Sequence, residues 1–166
     1  MAETSQVQHE IFPVYNQYSQ ILILGSFPSV KSREGQFFYG HPQNRFWKVL
    51  AALFNSPVPQ TIEEKKSLLL SHHTAVWDVV ASCEITGSSD SSIRNVIPTD
   101  LRLITSAAPI HQIFTNGGTA DKLYQKYCLP QTHMKAIRLP STSPANAAWS
   151  LERLKTEWKQ ILNYTD

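Results

Sequence analysis

The stretch QILILGSFPS, Gln20 to Ser29, decides how the rest of the chain is read. Four aliphatic residues in a row, two of them β-branched, are bounded by a glutamine and a glycine. That pattern predicts a short buried strand over Ile21 to Leu24. The strand breaks at Gly25 into a polar loop, Ser26 to Ser29.

Downstream, Phe46, Trp47, Val49, Leu50, Leu53 and Phe54 recur at helical spacing, which predicts an amphipathic helix from about Asn44 to Asn55. TIEEKKSLLL opens with Thr61 followed by Glu64 three residues later, a capping box that starts a second helix. TAVWDVV is the next strand, and Ser82 to Asn95, with TGSSDSS inside it, reads as a loop with turn chemistry. Thr99 in PTDLRLITSA is placed to cap a further helix. IHQIFTNGG is a strand ending in two glycines, TADKLYQKYC a helix and KAIRL a fourth strand. The last strand runs into PSTSPANAAWSLERLKTEWKQIL, where Ser143 followed by Pro144 predicts the cap and first turn of a long helix.

Strand and helix therefore alternate about four times with no internal repeat. Such alternation predicts an α/β fold with a parallel sheet and helices on both faces. In sheets of this kind ligands sit beyond the carboxyl ends of the strands. The loops GSFPS, the stretch after AVWDVV, TNGG and PSTSPAN should converge there.

The chain of 166 residues is the size of one domain, expected over residues 11–166 after a flexible lead-in of ten residues. Apolar content of 42% with 17% charged residues is ordinary for a globular protein. No signal-like start and no apolar run of membrane length are present, so a soluble cytoplasmic protein is expected. Cys83 and Cys128 are far apart, which disfavours a disulfide framework or thiolate zinc site. The histidines lack metal-ligand spacing, so no metal is expected. Net charge is only +2, but Lys31, Arg33, Arg45 and Lys48 flank one short region. A local basic cluster of that kind suits a polyanion contacted over a small footprint, or a solvated basic face.

Three kinds of chemistry are open to the converging loops. A nucleophile elbow, Gly-x-Ser-x-Gly, is missing, which argues against a serine hydrolase. The P-loop and dinucleotide fingerprints are missing too. Ser141, Thr142 and Ser143 before the expected helix could grip a phosphate through hydroxyls and backbone amides; plain capping by Ser143 accounts for the same residues. The third candidate is FFYGHPQN, residues 37–44. Three consecutive aromatics beside an amide can place a ring flat against a nucleobase. Asn44 can orient a water by hydrogen bonds but does not titrate, so its substrate must depart largely by itself.

LILGSFPSVKS, FYGHPQNRFWKVL, VWDVV, FTNGG and LPSTSPAN resemble, in order and spacing, the hypoxanthine-DNA (deoxyinosine) glycosylases, a branch of the uracil-DNA glycosylase superfamily. The resemblance covers the chain from about Phe12 to the last helix. It implies a four-stranded parallel sheet sandwiched between helices in a three-layer α/β/α arrangement. It also implies a monofunctional base excision repair enzyme that flips a deaminated base out of DNA and hydrolyses its N-glycosidic bond. No metal or cofactor is implied, double- or single-stranded DNA is the partner, and a monomer suffices.

Many relatives carry Asp or Asn to position water where Phe27 stands here. In the deoxyinosine branch that role passes to the asparagine of HPQN, Asn44. Leu139 stands where many relatives place a histidine that stabilises the departing base, which implies weak action on uracil. The resemblance assigns Phe27, Phe38, Tyr39, Asp78 and Asn116 to the base pocket. Ser29, Lys31, Arg45, Ser141, Thr142, Ser143 and Asn146 are assigned to DNA. Asp78 falls where relatives read the flipped base; its carboxylate either accepts N1–H of hypoxanthine or braces a loop. A uracil or mismatch glycosylase, and a non-catalytic nucleic-acid-binding module on the same fold, are the alternatives.

Overall fold

A computed structural model describes residues 4–86 and 92–166. Strand β1 is Thr4–Gln8, β2 is Ile21–Gly25, and helices α1 and α2 are Val30–Gly35 and Phe46–Leu53. Helix α3 (Ile62–Ser71) leads into β3 (Thr74–Asp78), β4 (Val80–Thr86) and β5 (Arg94–Pro98). Then follow α4 (Arg102–Thr105), β6 (Gln112–Asn116), α5 (Gly118–Leu123), α6 (Leu129–Thr132), β7 (Ala136–Leu139) and α7 (Leu151–Trp158).

The four strands expected from the alternation form one parallel sheet in the order β3-β2-β6-β7. β2 lies in its interior, where all five residues are buried, as its unbroken aliphatic run requires. Side chains alternate across the sheet. Ile21, Ile23, Val76 and Phe114 face a layer built by Phe46, Trp47 and Leu50 of α2, Leu68 and Leu69 of α3, and Leu154 and Trp158 of α7. Leu22, Leu24, Ala75 and Ile113 face the opposite way, against Val80, Cys83, Ile85, Leu101, Ile104, Tyr124 and Cys128. Full burial of each large apolar side chain contributes about 1.5–3 kcal/mol. Trp158, wholly buried, keeps its polar atom satisfied by donating from Nε1 to the Pro140 carbonyl at 2.9 Å.

The second face departs from expectation. The stretch Ser82–Asn95 is not a loop throughout: β4 and β5 pair antiparallel, and residues 87–91 of TGSSDSS lie outside the described residues. β1 adds to the other edge of β4, from Thr4 opposite Thr86 to Gln8 opposite Ser82. Residues 4–8, expected as part of a flexible lead-in, are thus a strand. Polar residues at an exposed sheet edge look unstructured in sequence, but the ladder satisfies their backbone.

Three local readings also change. Thr99 is buried and does not cap a helix; its hydroxyl donates to the carbonyls of Asp78 (2.8 Å) and Val79 (3.0 Å). The helix after β6 widens in its middle, passing from α5 through a π-helical stretch at Tyr124–Cys128 into α6. Ser143-Pro144 does not start the last helix. α7 begins at Leu151, capped by Ser150, whose hydroxyl accepts from the Arg153 N–H at 3.2 Å. The predicted capping box is present at α3, with Thr61 accepting from Glu64 N–H at 3.1 Å and Glu64 accepting from Thr61 N–H at 3.0 Å.

Candidate active site

The loops after β2, β3, β6 and β7 converge on one cavity of about 290 Å³. Gly25 to Ser29, Ser32, Phe38, Tyr39, Asn44, Asp78, Asn116, Ser141 to Ser143 and Ala145 line it. This volume is at the small end of ligand pockets, roughly 300–1,000 Å³.

The aromatic run divides between core and wall. Phe37 lies in the core, stacked on Trp47 at 6.0 Å. Phe38 is buried but also lines the cavity, and Tyr39 lines it with one ring face stacked on Phe46 at 3.9 Å. Tyr39 adopts φ 52°, a left-handed conformation that costs an aromatic residue about 1–3 kcal/mol. The turn is held in place from three sides. The Gly40 N–H donates to the Ser32 hydroxyl at 2.9 Å, Trp47 Nε1 donates to the Phe38 carbonyl at 3.2 Å, and Phe46 covers the Tyr39 ring. Ser29 positions Ser32 by capping α1, accepting from the Ser32 N–H at 3.1 Å and donating to its hydroxyl at 3.2 Å.

Asn44 sits just before α2, and its Oδ1 accepts from the Phe46 N–H at 3.0 Å. That bond fixes the amide plane. The second lone pair of Oδ1 and the two Nδ2 hydrogens are the groups it can offer the cavity.

Asp78 ends β3 beside Gly25, its register partner on β2, and is 3% exposed. A Cβ at Gly25 would overlap Asp78 Oδ1 and lie 3.1 Å from the Tyr39 hydroxyl, so only glycine lets the carboxylate lie flat over β2. Asp78 Oδ2 accepts from His9 Nε2 at 2.7 Å. His9 Nδ1 accepts from the Ile11 N–H at 3.2 Å, which assigns the ring proton to Nε2. His9 follows β1 directly, and nothing in the sequence pairs it with a residue so far along the chain.

Several of the other expected site residues brace the β7–α7 loop, and Asn116, Ser141, Thr142 and Ser143 among them also line the cavity. Asn116 Nδ2 donates to Thr142 Oγ1 at 3.0 Å, while its Oδ1 accepts from the Thr142 N–H at 3.1 Å. Arg45, expected to meet phosphate, turns inward. Its guanidinium donates to the carbonyls of Trp149, Ser143 (2.9 Å) and Asn146 (3.1 Å), and its N–H donates to the Thr142 carbonyl at 3.1 Å. Asn146 lies outside the cavity and donates from Nδ2 to the Ser141 carbonyl at 3.0 Å. Ser141 and Ser143 form local turns, accepting from the Ser143 and Ala145 N–H groups at 3.1 and 3.2 Å. No helix dipole stands behind these hydroxyls, because α7 starts at Leu151. Lys31 is exposed beside Glu34 at 3.7 Å and does not line the cavity. Leu139 is buried in the core, away from the cavity. Among the described residues, no group of three or more His, Cys, Asp or Glu is placed to hold a metal ion, and no helix is long and apolar enough to cross a membrane.

Comparison with known proteins places this arrangement. The family model of the uracil DNA glycosylase superfamily matches residues 12–164. A hypoxanthine DNA glycosylase of Methanosarcina acetivorans is 30% identical over 155 residues, covering 92% of this chain and 97% of that protein. Another, from Methanosarcina barkeri, is 28% identical over 150 residues, covering 89% and 93%. A solution NMR structure from Methanosarcina acetivorans, described as a candidate uracil DNA glycosylase, superposes with a TM-score of 0.78 at 30% identity, covering 92% of this chain and 94% of that one.

Proposed function

The chain belongs to the uracil DNA glycosylase superfamily, and from that premise we propose that it is a monofunctional DNA glycosylase that excises hypoxanthine. The observation that carries this reading is the Asp78 carboxylate at the cavity, with Oδ2 taken up by His9 and Oδ1 lying over Gly25 beside Tyr39. A carboxylate accepts hydrogen bonds and does not donate them. Hypoxanthine presents N1–H and O6, so N1–H matches Oδ1, whereas adenine presents a lone pair at N1 and is repelled. A site built around one buried hydrogen-bonding group can discriminate by about 10⁴-fold.

The flipped nucleotide enters with its base between the walls formed by Phe27, Phe38 and Tyr39. Extrusion costs a few kcal/mol and less at a mispaired lesion, which favours damaged sites. As the C1′–N9 bond breaks, its electron pair leaves with the base and the sugar develops positive charge. A water held by the Asn44 amide adds to C1′, its proton passes to solvent or to the departing base, and an abasic site remains. The pinned Asn44 amide costs no reorganisation at that moment. Among the described residues no lysine lines the cavity, so an amine that would open the abasic sugar through a Schiff base is not supplied. Ser141 and Ser143, on a loop fixed by Arg45 and Asn116, offer their hydroxyl hydrogens to the flanking phosphates, while Thr142 is wholly buried and serves the bracing.

The test is excision from end-labelled oligonucleotides bearing one deoxyinosine, deoxyxanthosine, deoxyuridine or deoxyadenosine, single- and double-stranded, with alkali added afterwards. Cleavage greatest at deoxyinosine, and requiring alkali, is expected. Cleavage mainly at deoxyuridine would overturn the base assignment, and no cleavage at any lesion would leave a binding module.

A further inference from the structure

His9 lies behind the cavity wall, its side chain 3% exposed, and it reaches Asp78 from the residue just after β1, a strand of the second sheet. Its ring is held edge-on to Phe27 at 5.9 Å and to Trp77 at 6.5 Å, and tilted against Phe38 at 6.0 Å. The Ile11 N–H fixes Nδ1, so the one ring N–H is directed at Asp78 Oδ2 at 2.7 Å. The Thr99 hydroxyl donates to the main-chain carbonyl of Asp78 at 2.8 Å.

We propose that His9 is the positioning residue of base recognition. Its Nε2–H occupies Oδ2, keeps the buried carboxyl group from rotating, and leaves Oδ1 as the acceptor for N1–H of the flipped purine. The N-terminal segment is thereby a working part of the site. This rests on the reading of Asp78 as the base-reading group. A buried carboxylate without such a donor would turn toward another partner. Turned away, it neither accepts N1–H of hypoxanthine nor repels the N1 lone pair of adenine, so loss of His9 weakens both the rate on hypoxanthine and the choice against adenine.

The experiment compares single-turnover excision of hypoxanthine and adenine by wild type, His9→Phe, His9→Gln, Asp78→Asn and the double variant Asp78→Asn/His9→Phe. Phenylalanine keeps a ring among Phe27, Phe38 and Trp77 but has no N–H, whereas glutamine returns an N–H near the Nε2 position. His9→Phe is expected to slow hypoxanthine excision about 10- to 100-fold, the loss of one hydrogen bond to a charged group, and to lower the hypoxanthine-to-adenine ratio. His9→Gln is expected to recover most of that loss. When Asp78→Asn is already present, adding His9→Phe should cost less than about threefold, because a residue acting through the Asp78 carboxylate has nothing left to position.

A wild-type rate and ratio for folded His9→Phe, or full additivity in the double variant, would overturn the inference. If His9→Phe has no cooperative thermal transition, His9→Gln decides. Near-wild-type excision with folding intact supports the inference, and a loss beyond about tenfold overturns it. Asp78→Asn excising hypoxanthine at the wild-type rate and ratio would instead refute the assignment of Asp78 itself.

Discussion

Gly25 and Asp78 face each other at the ends of β2 and β3, and Asp78 Oδ1 fills the space that a side chain on Gly25 would need. The strand that organises the sheet thus ends in the residue that gives the carboxylate its place. Gly25→Ala is expected to displace Asp78 and crowd Tyr39. Overpacking of this kind costs about 1–3 kcal/mol, and excision of hypoxanthine should fall at least about 100-fold because the acceptor leaves its position. Thermal melting and single-turnover kinetics on the same preparation check the two parts.

Arg45 connects the start of α2 to the loop that follows β7, through three carbonyl oxygens held by one guanidinium. Arg45→Ala removes the guanidinium from all three carbonyls, of which those of Ser143 and Asn146 keep the N–H groups of Asn146 and Trp149, and is expected to cost about 1–3 kcal/mol of stability. Arg45→Lys should rescue little, since an ammonium cannot reproduce the planar fork. The salt dependence of DNA binding distinguishes this bracing role from phosphate contact. Loss of a phosphate contact reduces the slope of log K against log salt by about 0.7–0.9, whereas the bracing role predicts an unchanged slope.

The Cys128 thiol is pushed up to about 12 by burial, and it sits at the end of the π-helical stretch beneath the second face of the sheet. The raised value leaves the protonated thiol dominant at pH 8, with a thiolate fraction on the order of 10⁻⁴. Native protein should therefore resist alkylation of Cys128 by iodoacetamide at pH 8, while unfolding in urea exposes it. Mass spectrometry of the tryptic peptide gives the answer, and rapid labelling of the folded protein would contradict it.

The parallel sheet was legible because its signals are local. An unbroken aliphatic run marks β2, helical spacing marks α2, and a capping box marks α3. Convergence of the loops followed from the direction of the strands. The antiparallel sheet was not legible, because β1 pairs with β4 across more than seventy residues and carries only one half-buried side chain. Ser143-Pro144 carries the same local signal as a helix start, yet Ser143 closes a turn on Ala145 and the helix waits for Ser150. Phe38, Tyr39 and Asn44 could be placed at the cavity from sequence, since a turn rich in aromatics beside a helix start is a local pattern, whereas nothing local sends Phe37 to the core. The inward roles of Arg45 and Asn116, and the pairing of His9 with Asp78, depend on contacts between distant segments that no periodicity encodes.

Asn44→Ala gives the most direct test of the site. Single-turnover release of hypoxanthine from a duplex with one deoxyinosine is measured for wild type and variant, alongside fluorescence anisotropy of binding to the same DNA. A loss of at least about 100-fold in release is expected, the scale of one preorganised transition-state contact, with DNA affinity within about threefold of wild type. Release by the variant at the wild-type rate would refute the role of Asn44, because the water would then be held by some other group.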